Sequence, residues 1–199
     1  MAELIAALTG SYLLGSIPTA YLLVKWLKRV DVRTIGSGNV GATNATRVAG
    51  LWAGLAVFLL DAAKGLAAVW WVASWSTAPA SLTRQLSCGC AAILGHAFPV
   101  FLRFQGGKGV ATTIGVLAGT MPLVAASCVG IWLVCMAIWR YVSVSSLAAA
   151  VALPVVQLAT GQMGLDVLLG VGLALLIILR HRGNIVRLLQ GTEHRVGQR

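Results

Sequence analysis

The chain has 199 residues, of which 58% are hydrophobic and only 10% are charged, and its formal net charge is +10 at pH 7. Soluble domains carry about 25% charged residues, so this composition excludes an ordinary water-soluble protein. The basic residues flank long apolar runs, which is typical of membrane sidedness. We therefore expect membrane lipid, and no nucleic acid, as the surroundings of this chain.

Several apolar runs approach or exceed the roughly 20 residues that a helix needs to cross a bilayer. No segment alternates apolar and polar residues with a period of two, so strands are not expected. The sequence predicts an all-α, polytopic integral membrane bundle that forms a single domain over residues 1–199. The runs are Leu4–Val24, Leu51–Trp75, Leu86–Phe101, Val110–Trp139, Val142–Thr160 and Leu165–Leu179.

The first run, Leu4–Val24, has only Glu3 before it and no clear A-x-A cleavage site after it. It lacks the basic start of a signal peptide, so we expect a retained first span that is kinked near Pro18. Asp61 and Lys64 lie within the second run. Because unpaired charges in a membrane are costly, we expect them to pair with each other and to hydrogen-bond the first loop.

Between these two runs lies a glycine-rich stretch, residues 36–47, which reads "GSGNVGATNATR" and contains G-x-G-x-x-G. A dinucleotide fingerprint needs a strand before the glycines and a βαβ unit around them. Here an apolar run and a basic loop precede the glycines. We therefore expect a loop that binds an anion through backbone N–H groups, and not a nucleotide fold.

A second glycine-rich stretch, residues 96–113, reads "HAFPVFLRFQGGKGVATT". It is not a P-loop, because Leu102 stands where G-x-x-x-x-G-K requires glycine and Gly109 takes the Ser/Thr position. Either glycine stretch alone is equally compatible with a simple tight turn. Together with Arg47 and Lys108 they predict phosphate binding. The sequence position of His96 is compatible either with a hydrogen bond inside the bundle or with a substrate contact.

The run Val110–Trp139 is interrupted by Gly119-Thr120-Met121-Pro122, since proline cannot continue a helix. If this run forms two membrane segments, the chain crosses the membrane an even number of times between Lys108 and Arg140, and both basic residues lie on the same side. The result is about seven transmembrane segments with the N-terminus outside and the C-terminus cytoplasmic; five or six spans with a re-entrant piece is the alternative. Arg84 then lies outside, and thirteen basic residues lie inside: Lys25, Lys28, Arg29, Arg33, Arg47, Arg103, Lys108, Arg140, Arg180, Arg182, Arg187, Arg195 and Arg199.

With this topology the polar stretches 36–47, 96–113, 140–146 and 180–193 all face the cytoplasm. Motifs in these stretches, together with one in the second apolar run, resemble those of a known protein family. "GSGNVGATNATR", "DAAKG", "HAFPVFLRFQGGKGVAT", "RYVS" and "HRGNIVRLLQGTE" occur in this order, and the combination resembles the bacterial acyl-phosphate:glycerol-3-phosphate acyltransferase family. The resemblance implies a multi-pass enzyme of the bacterial inner (cytoplasmic) membrane that carries out the first step of phospholipid synthesis.

Such an enzyme transfers a fatty acyl group from acyl phosphate to the 1-hydroxyl of glycerol 3-phosphate, giving lysophosphatidic acid and phosphate. Its partners are acyl phosphate, glycerol 3-phosphate and membrane lipid. No residue pattern indicates a metal or a cofactor: Cys88, Cys90, Cys128 and Cys135 form no C-x-x-C pair. A transporter or channel for a small phosphorylated or anionic solute is the alternative function, and a lipid-binding subunit without activity is another.

We expect a catalytic set of His181, Lys108, Arg47 and Asn184, with His181 or the bound phosphate removing the hydroxyl proton. The first loop and the second glycines suit the phosphoryl group of acyl phosphate, and the catalytic set suits glycerol 3-phosphate, although the division between the two phosphates is open. Glu193 is also a candidate substrate contact, but its sequence context favours a structural role in which it organises the tail through nearby arginines. The candidate substrate-binding residues are Ser37, Gly38, Asn39, Gly41, Thr43, Asn44, His96, Gly106, Gly107, Gly109, Thr112, Ser143, Ser145, Ser146 and Glu193.

Overall fold

The computed structural model describes residues 1–75 and 79–197, and in this part of the chain every regular element is a helix. This confirms the all-α prediction. Clustering of contacts divides the chain into two compact units, Met1–Thr120 and Met121–Arg199. The single-domain interpretation stays a prediction, and Arg199, one of the basic tail residues, lies outside the described residues.

Among its described residues the first unit contains six α-helices, with three short 3₁₀ turns in some of the connections between them. Apolar side chains on α2, α3 and α4 form one buried cluster with Val32, Val40 and Leu102, and this cluster holds the chain on both sides of the first glycine stretch. The helices are α1 (Ala2–Ser16), α2 (Thr19–Lys28), α3 (Ala42–Ala49), α4 (Leu51–Trp70), α5 (Leu82–Ala97) and α6 (Val110–Thr120). The 3₁₀ turns are Val32–Thr34, Val72–Ser74 and Val100–Leu102.

The described residues of the second unit form four further α-helices and part of the tail. Its long helices carry apolar side chains around most of their circumference, as expected of segments surrounded by lipid. They are α7 (Pro122–Trp139), α8 (Val142–Ala159), α9 (Leu165–Arg180) and α10 (Arg182–Leu189).

Five helical segments among the described residues are long and apolar enough to cross a membrane. The first of them, Ala2–Lys28, joins α1 and α2, and the shorter apolar helix Val110–Thr120 corresponds to α6. Counting α6 and α9 as crossings would give the predicted seven segments, and that count stays a prediction. The other four long segments are Leu51–Ser74, Leu82–Leu102, Pro122–Trp139 and Val142–Ala159.

Proline interrupts the helices at both predicted places. α1 ends at Ser16 and α2 begins at Thr19, so the first span is broken at Ile17 and Pro18. Pro122 opens α7 directly after α6 has ended at Thr120, in the first helical turn, where its missing N–H is no loss. α6 has 11 residues, or about 16 Å of helix, which is shorter than the hydrocarbon core.

Glycines allow α4 and α6 to approach with their backbones almost in contact. A Cβ atom at Gly65 would overlap the carbonyl of Thr112, and one at Gly115 would overlap the carbonyl of Ala62. Small residues commonly permit such close helix packing in membranes. The contact places the start of α6, and with it the second glycine stretch, beside the centre of α4.

A matching contact joins α1 and α5. A Cβ atom at Gly15 would overlap the backbone of Ala92, and one at Gly95 would overlap the carbonyl of Tyr12. Gly95 directly precedes His96, so this contact sets the position of the His96 side chain against the end of α1.

Candidate functional site

The first glycine loop, residues 36–47, is held in shape by the Asn44 amide, which is 1% exposed. Its Oδ1 accepts the N–H of Ser37 at 3.0 Å, and its Nδ2 donates to the carbonyls of Val32 at 2.9 Å and Ile35 at 3.0 Å. Gly36 has φ +64°, and a Cβ there would overlap Asn44 Oδ1. Both amide donors are therefore used by the backbone just before the loop, and Asn44 shapes the backbone on which the other predicted contacts lie.

This loop leads directly into the N-terminus of α3, whose first backbone N–H groups have no partner inside the helix. Ser37 and Thr43 are exposed, and Arg47 lies exposed in the last turn of α3. The remaining loop candidates, Gly38, Asn39 and Gly41, are partly buried. Backbone N–H groups at a helix N-terminus attract anions through the helix dipole, which suits a phosphate.

The second glycine loop, residues 105–109, folds back onto the end of α5. The N–H of Gly107 donates to the backbone carbonyl of His96 at 3.0 Å, and a Cβ at Gly107 would overlap the His96 ring at Nε2. Gly106 also lies too close to the His96 carbonyl to carry a Cβ. Gly109, with φ +83°, then turns the chain into α6, so Lys108 lies just before a second helix N-terminus.

A buried charge cluster lies behind this loop. The Asp61 carboxylate, 1% exposed, contacts Lys64 Nζ at 2.8 Å and accepts the Thr19 hydroxyl at 2.6 Å. Its Oδ1 also lies 3.5 Å from His96 Nδ1. Lys64 Nζ donates to the carbonyl of Ile17 at 3.2 Å, in the break before Pro18.

The predicted pairing of Asp61 with Lys64 is therefore present, but their further hydrogen bonds go to the break between α1 and α2 and not to the first glycine loop. The reason is local. Proline at position 18 ends the helical hydrogen-bond pattern, so Ile17 offers a carbonyl, and Thr19 a hydroxyl, at the level of Lys64 and Asp61. Sequence reasoning missed this partner; a proline within a span, with polar residues on both sides, was the available signal.

In the second unit the Glu193 carboxylate, with a side chain 5% exposed, joins three elements. Oε1 accepts the Ser143 hydroxyl at 2.8 Å and the Asn184 amide at 2.6 Å. Oε2 accepts from Arg187 Nε at 2.7 Å. Ser143 and Asn184, both predicted as substrate contacts, thus point their donors at Glu193, and Arg187 pairs with it as well.

The tail is fixed further by the N–H of Val196, which donates to the carbonyl of Arg140 at 2.8 Å. Burial by itself would raise the pKa of Glu193. Hydrogen bonds from Asn184, Ser143 and Arg187 outweigh burial and hold this pKa below its ordinary value. Glu193 is therefore a stabilised carboxylate that organises the tail, in agreement with the structural interpretation of its sequence context.

The other predicted hydroxyls are buried. Ser145 Oγ donates to the carbonyl of Tyr141 at 3.0 Å, and Ser146 Oγ accepts from Trp132 Nε1 at 3.2 Å. In the first unit Thr112, fully buried in α6, has no hydrogen-bond partner for its hydroxyl among the described residues.

His181 separates α9 from α10 and is 2% exposed. Its Nδ1 lies 2.8 Å from the carbonyl of Ile177. A carbonyl oxygen only accepts hydrogen bonds, so we assign the proton of the neutral ring to Nδ1, which makes Nε2 its basic nitrogen. This geometry is compatible with the predicted role of a proton acceptor.

Comparisons with known proteins agree over nearly the whole chain. The family model described as "Glycerol-3-phosphate acyltransferase" matches residues 5–191. A glycerol-3-phosphate acyltransferase of Sinorhizobium fredii (strain NBRC 101917 / NGR234) is 45% identical over 192 residues, covering 96% of this chain and 92% of the relative. One of Synechococcus sp. (strain CC9902) is 43% identical over 188 residues, covering 94% and 92%.

Solved structures are similar as well. The crystal structure of PlsY, an integral membrane glycerol 3-phosphate acyltransferase, in its glycerol 3-phosphate form has a TM-score of 0.90 and 41% identity, covering 99% of this chain and 96% of that chain. The lysophosphatidic acid form has a TM-score of 0.87 and 38% identity, with the same coverage.

The Glu193 network predicts an acid-sensitive contribution to stability. Glu193→Gln should lower the free energy of unfolding by about 1.5–3 kcal/mol at neutral pH, the range for hydrogen bonds to a charged group. Because the folded-state pKa is lowered, this difference should be complete above the ordinary value of 4.5 and should shrink as the pH falls through the lowered pKa. Thermal unfolding of the purified protein in detergent, at several pH values, measures it.

Thr192→Ala is the matched control, since Thr192 adjoins Glu193 but is exposed, does not contact the carboxylate and makes only a long hydroxyl contact of 3.4 Å with the backbone carbonyl of Arg187. It should leave the melting temperature nearly unchanged at every pH. Equal melting temperatures for Glu193→Gln and the unmodified protein at neutral pH would contradict the structural role of Glu193.

Proposed function

Since the chain belongs to the glycerol-3-phosphate acyltransferase family, we propose that it transfers a fatty acyl group from acyl phosphate to the 1-hydroxyl of glycerol 3-phosphate. The products are lysophosphatidic acid and inorganic phosphate. The family and the integral membrane neighbours support an acyltransferase embedded in a membrane. The acyl-phosphate donor, the position of the hydroxyl and the inner membrane location are our proposals.

One structural observation supports this specific reaction in addition to the family membership. Within the first unit, two glycine-rich loops each lead into a helix N-terminus, at Ala42 and at Val110. Lys108 lies in the second loop, and Arg47 lies in the last turn of the helix that follows the first loop. Acyl phosphate and glycerol 3-phosphate each bear a phosphate group. Two loops built for anions therefore suit a reaction in which two phosphorylated substrates must be held together.

The proposed chemistry needs little beyond positioning, because acyl phosphate is already activated. The 1-hydroxyl oxygen attacks the acyl carbon, the bond from that carbon to the phosphate oxygen breaks, and phosphate leaves with the bonding electrons. The hydroxyl proton passes to a base or to the phosphate. Holding both substrates in contact is worth several kcal/mol of the barrier, and each preorganised donor aimed at the developing negative charge adds about 3–4 kcal/mol.

His181 stays our candidate for the base, with Nε2 as the accepting nitrogen. Asn184, with its amide on Glu193, is better described as a residue that shapes the second unit. The expectation that Ser143, Ser145 and Ser146 contact substrate is weakened by their internal hydrogen bonds.

The donor is tested by reconstitution of the purified full-length protein with glycerol 3-phosphate and either acyl phosphate or acyl-CoA. Release of phosphate and formation of lysophosphatidic acid are measured with and without EDTA. We expect turnover with acyl phosphate alone, at the same rate with EDTA, because the reaction needs only a preformed acyl–phosphate bond. Strong turnover with acyl-CoA would refute the donor assignment, and no turnover with either donor would refute the function.

Both basic loop residues should matter for the same reason. A lost charge-assisted contact costs about 1.5–3 kcal/mol, which is roughly ten- to 150-fold. Arg47→Ala and Lys108→Ala should therefore each lower kcat/KM at least tenfold, while Arg47→Lys recovers only part because a point charge cannot replace the planar guanidinium. Initial rates over a range of both substrates measure this.

Lys28→Ala is the control, since Lys28 is an exposed basic residue in the last turn of α2 that belongs to neither glycine stretch. It should stay within about threefold of the unmodified protein. Near-normal kcat/KM in Arg47→Ala and Lys108→Ala would show that the glycine loops do not hold substrate phosphate.

We also propose that both glycine loops and the tail face the cytoplasm, as the distribution of basic residues suggests. In a cysteine-free background, single cysteines at the exposed positions Ser37, Gln105 and Gln190 should resist a membrane-impermeant thiol reagent in intact cells. A cysteine at exposed Ser81, close to Arg84, should react. Rapid labelling at position 105 would overturn this orientation.

A further inference from the structure

One oxygen of the buried Asp61 carboxylate has partners from three helices. Oδ1 accepts the hydroxyl of Thr19, the first residue of α2, at 2.6 Å and lies 2.8 Å from Lys64 Nζ on α4 itself. His96, next to the end of α5, places its Nδ1 3.5 Å from the same oxygen. The carboxylate therefore joins α2, α4 and α5 at one point inside the first unit.

Stability alone does not account for this charged junction. Removing two charges from water costs several kcal/mol for each ion, and exchanging a buried ion pair for apolar residues is often neutral or stabilising. A carboxylate differs from an apolar side chain because each of its hydrogen bonds holds a donor within a narrow range of distance and angle. Asp61 is therefore suited to fix where α2 and α5 lie against α4.

Through α2 this junction reaches the first glycine loop. The helix that Thr19 opens packs its apolar side chains in one buried cluster with Val32, which precedes the loop, and Val40, which lies within it. Because buried side chains are closely packed, a shift of α2 against α4 is passed on to the backbone of this loop.

Through His96 the same oxygen reaches the second glycine loop. The His96 carbonyl accepts the N–H of Gly107 at 3.0 Å, and its ring leaves no space for a Cβ atom at Gly107. A Cβ atom at Gly106 would likewise overlap the His96 carbonyl. Val40 of the first loop lines one small crevice together with Gly106 and Gly107, so the two loops adjoin each other there.

We propose that Asp61 is a positioning residue for acyl transfer, which holds the two glycine loops at the separation that the two substrates need in order to react. Asp61 touches neither substrate and acts through Thr19 and His96. The inference rests on the proposed function, in which each loop holds one phosphorylated substrate. A misplacement of reacting groups by about 1 Å can cost about 100-fold in rate. A changed loop separation should therefore lower kcat and leave the binding of each substrate to its own loop.

The kinetic test is Thr19→Val, which removes the hydroxyl that Asp61 accepts, keeps a similar shape and leaves the pair of Asp61 with Lys64 in place. We expect kcat to fall by about tenfold or more, while KM for each substrate stays within about threefold. Thr19→Ser restores the hydroxyl and should recover most of kcat.

Thr120→Val is the matched control. Thr120 is also partly buried in the first unit, but its hydroxyl donates at 2.8 Å to the carbonyl of Val116 within its own helix. This variant should keep both kcat and KM close to those of the unmodified protein.

The separation of the loops is measured without turnover by electron paramagnetic resonance. Spin labels on Ser37→Cys and Gln105→Cys, in a cysteine-free background, lie at exposed positions of the first and the second loop. Thr19→Val should shift or broaden the distribution of distances between the two labels. Thr19→Ser and Thr120→Val should leave it unchanged.

A second variant assigns the effect to the carboxylate. Asp61→Leu/Lys64→Met replaces the ion pair by apolar residues and leaves no charge buried alone. It should change the distances between the labels, and adding Thr19→Val should change them no further, because residues in one network are not additive. A further change on adding Thr19→Val would show that Thr19 acts without Asp61. If this variant does not fold, the comparison of Thr19→Val with Thr19→Ser decides.

Unchanged distances or an unchanged kcat in Thr19→Val overturns the proposal. A rise in KM without a fall in kcat overturns it as well, since that result indicates a contact with substrate. An equal fall in kcat in Thr120→Val also overturns it, since that result indicates a general loss of folded protein. If Thr19→Val shifts the distances but the unmodified protein turns over neither donor, the positioning of the loops stands and the proposed function fails.

Discussion

The first unit depends on one buried ion pair, Asp61 with Lys64. A charge placed among apolar helices is tolerated only when its partners satisfy it, so the chain must bring partners to the middle of α4. Thr19 and the carbonyl of Ile17 come from the break at Pro18, and His96 comes from the end of α5. This requirement places three separate parts of the chain around one carboxylate.

These contacts also determine the position of the second glycine loop. The His96 carbonyl accepts the N–H of Gly107, and the His96 ring leaves no room for a Cβ there. Glycine is therefore needed because two backbones meet, as well as for a turn. The same closeness places Gly106, Gly107, Lys64 and His96 around one small crevice, so the second glycine loop and the ion pair share this part of the first unit.

The second unit has its own organising carboxylate. Glu193 gathers Ser143, Asn184 and Arg187 and so holds the tail against α8 and α10. The sequence analysis assigned Ser143 and Asn184 to substrate, and that assignment stays a prediction. In the structure each of them donates one hydrogen bond to the buried Glu193 carboxylate, which lies 50 residues from Ser143 in the chain.

Composition and spacing by themselves determined the membrane-embedded helices, the two breaks at proline and the family, because these depend on local hydropathy, on the missing N–H of proline and on motifs read in order. Asn44, Lys64 and Glu193 show what the sequence left open. Asn44 shapes its own loop, Lys64 donates to the Ile17 carbonyl in the break between α1 and α2, and Glu193 holds the tail against α8 and α10. Only the tertiary structure decided these roles, because the partner of a buried polar group is whichever donor or acceptor the packing of distant helices brings within about 3 Å.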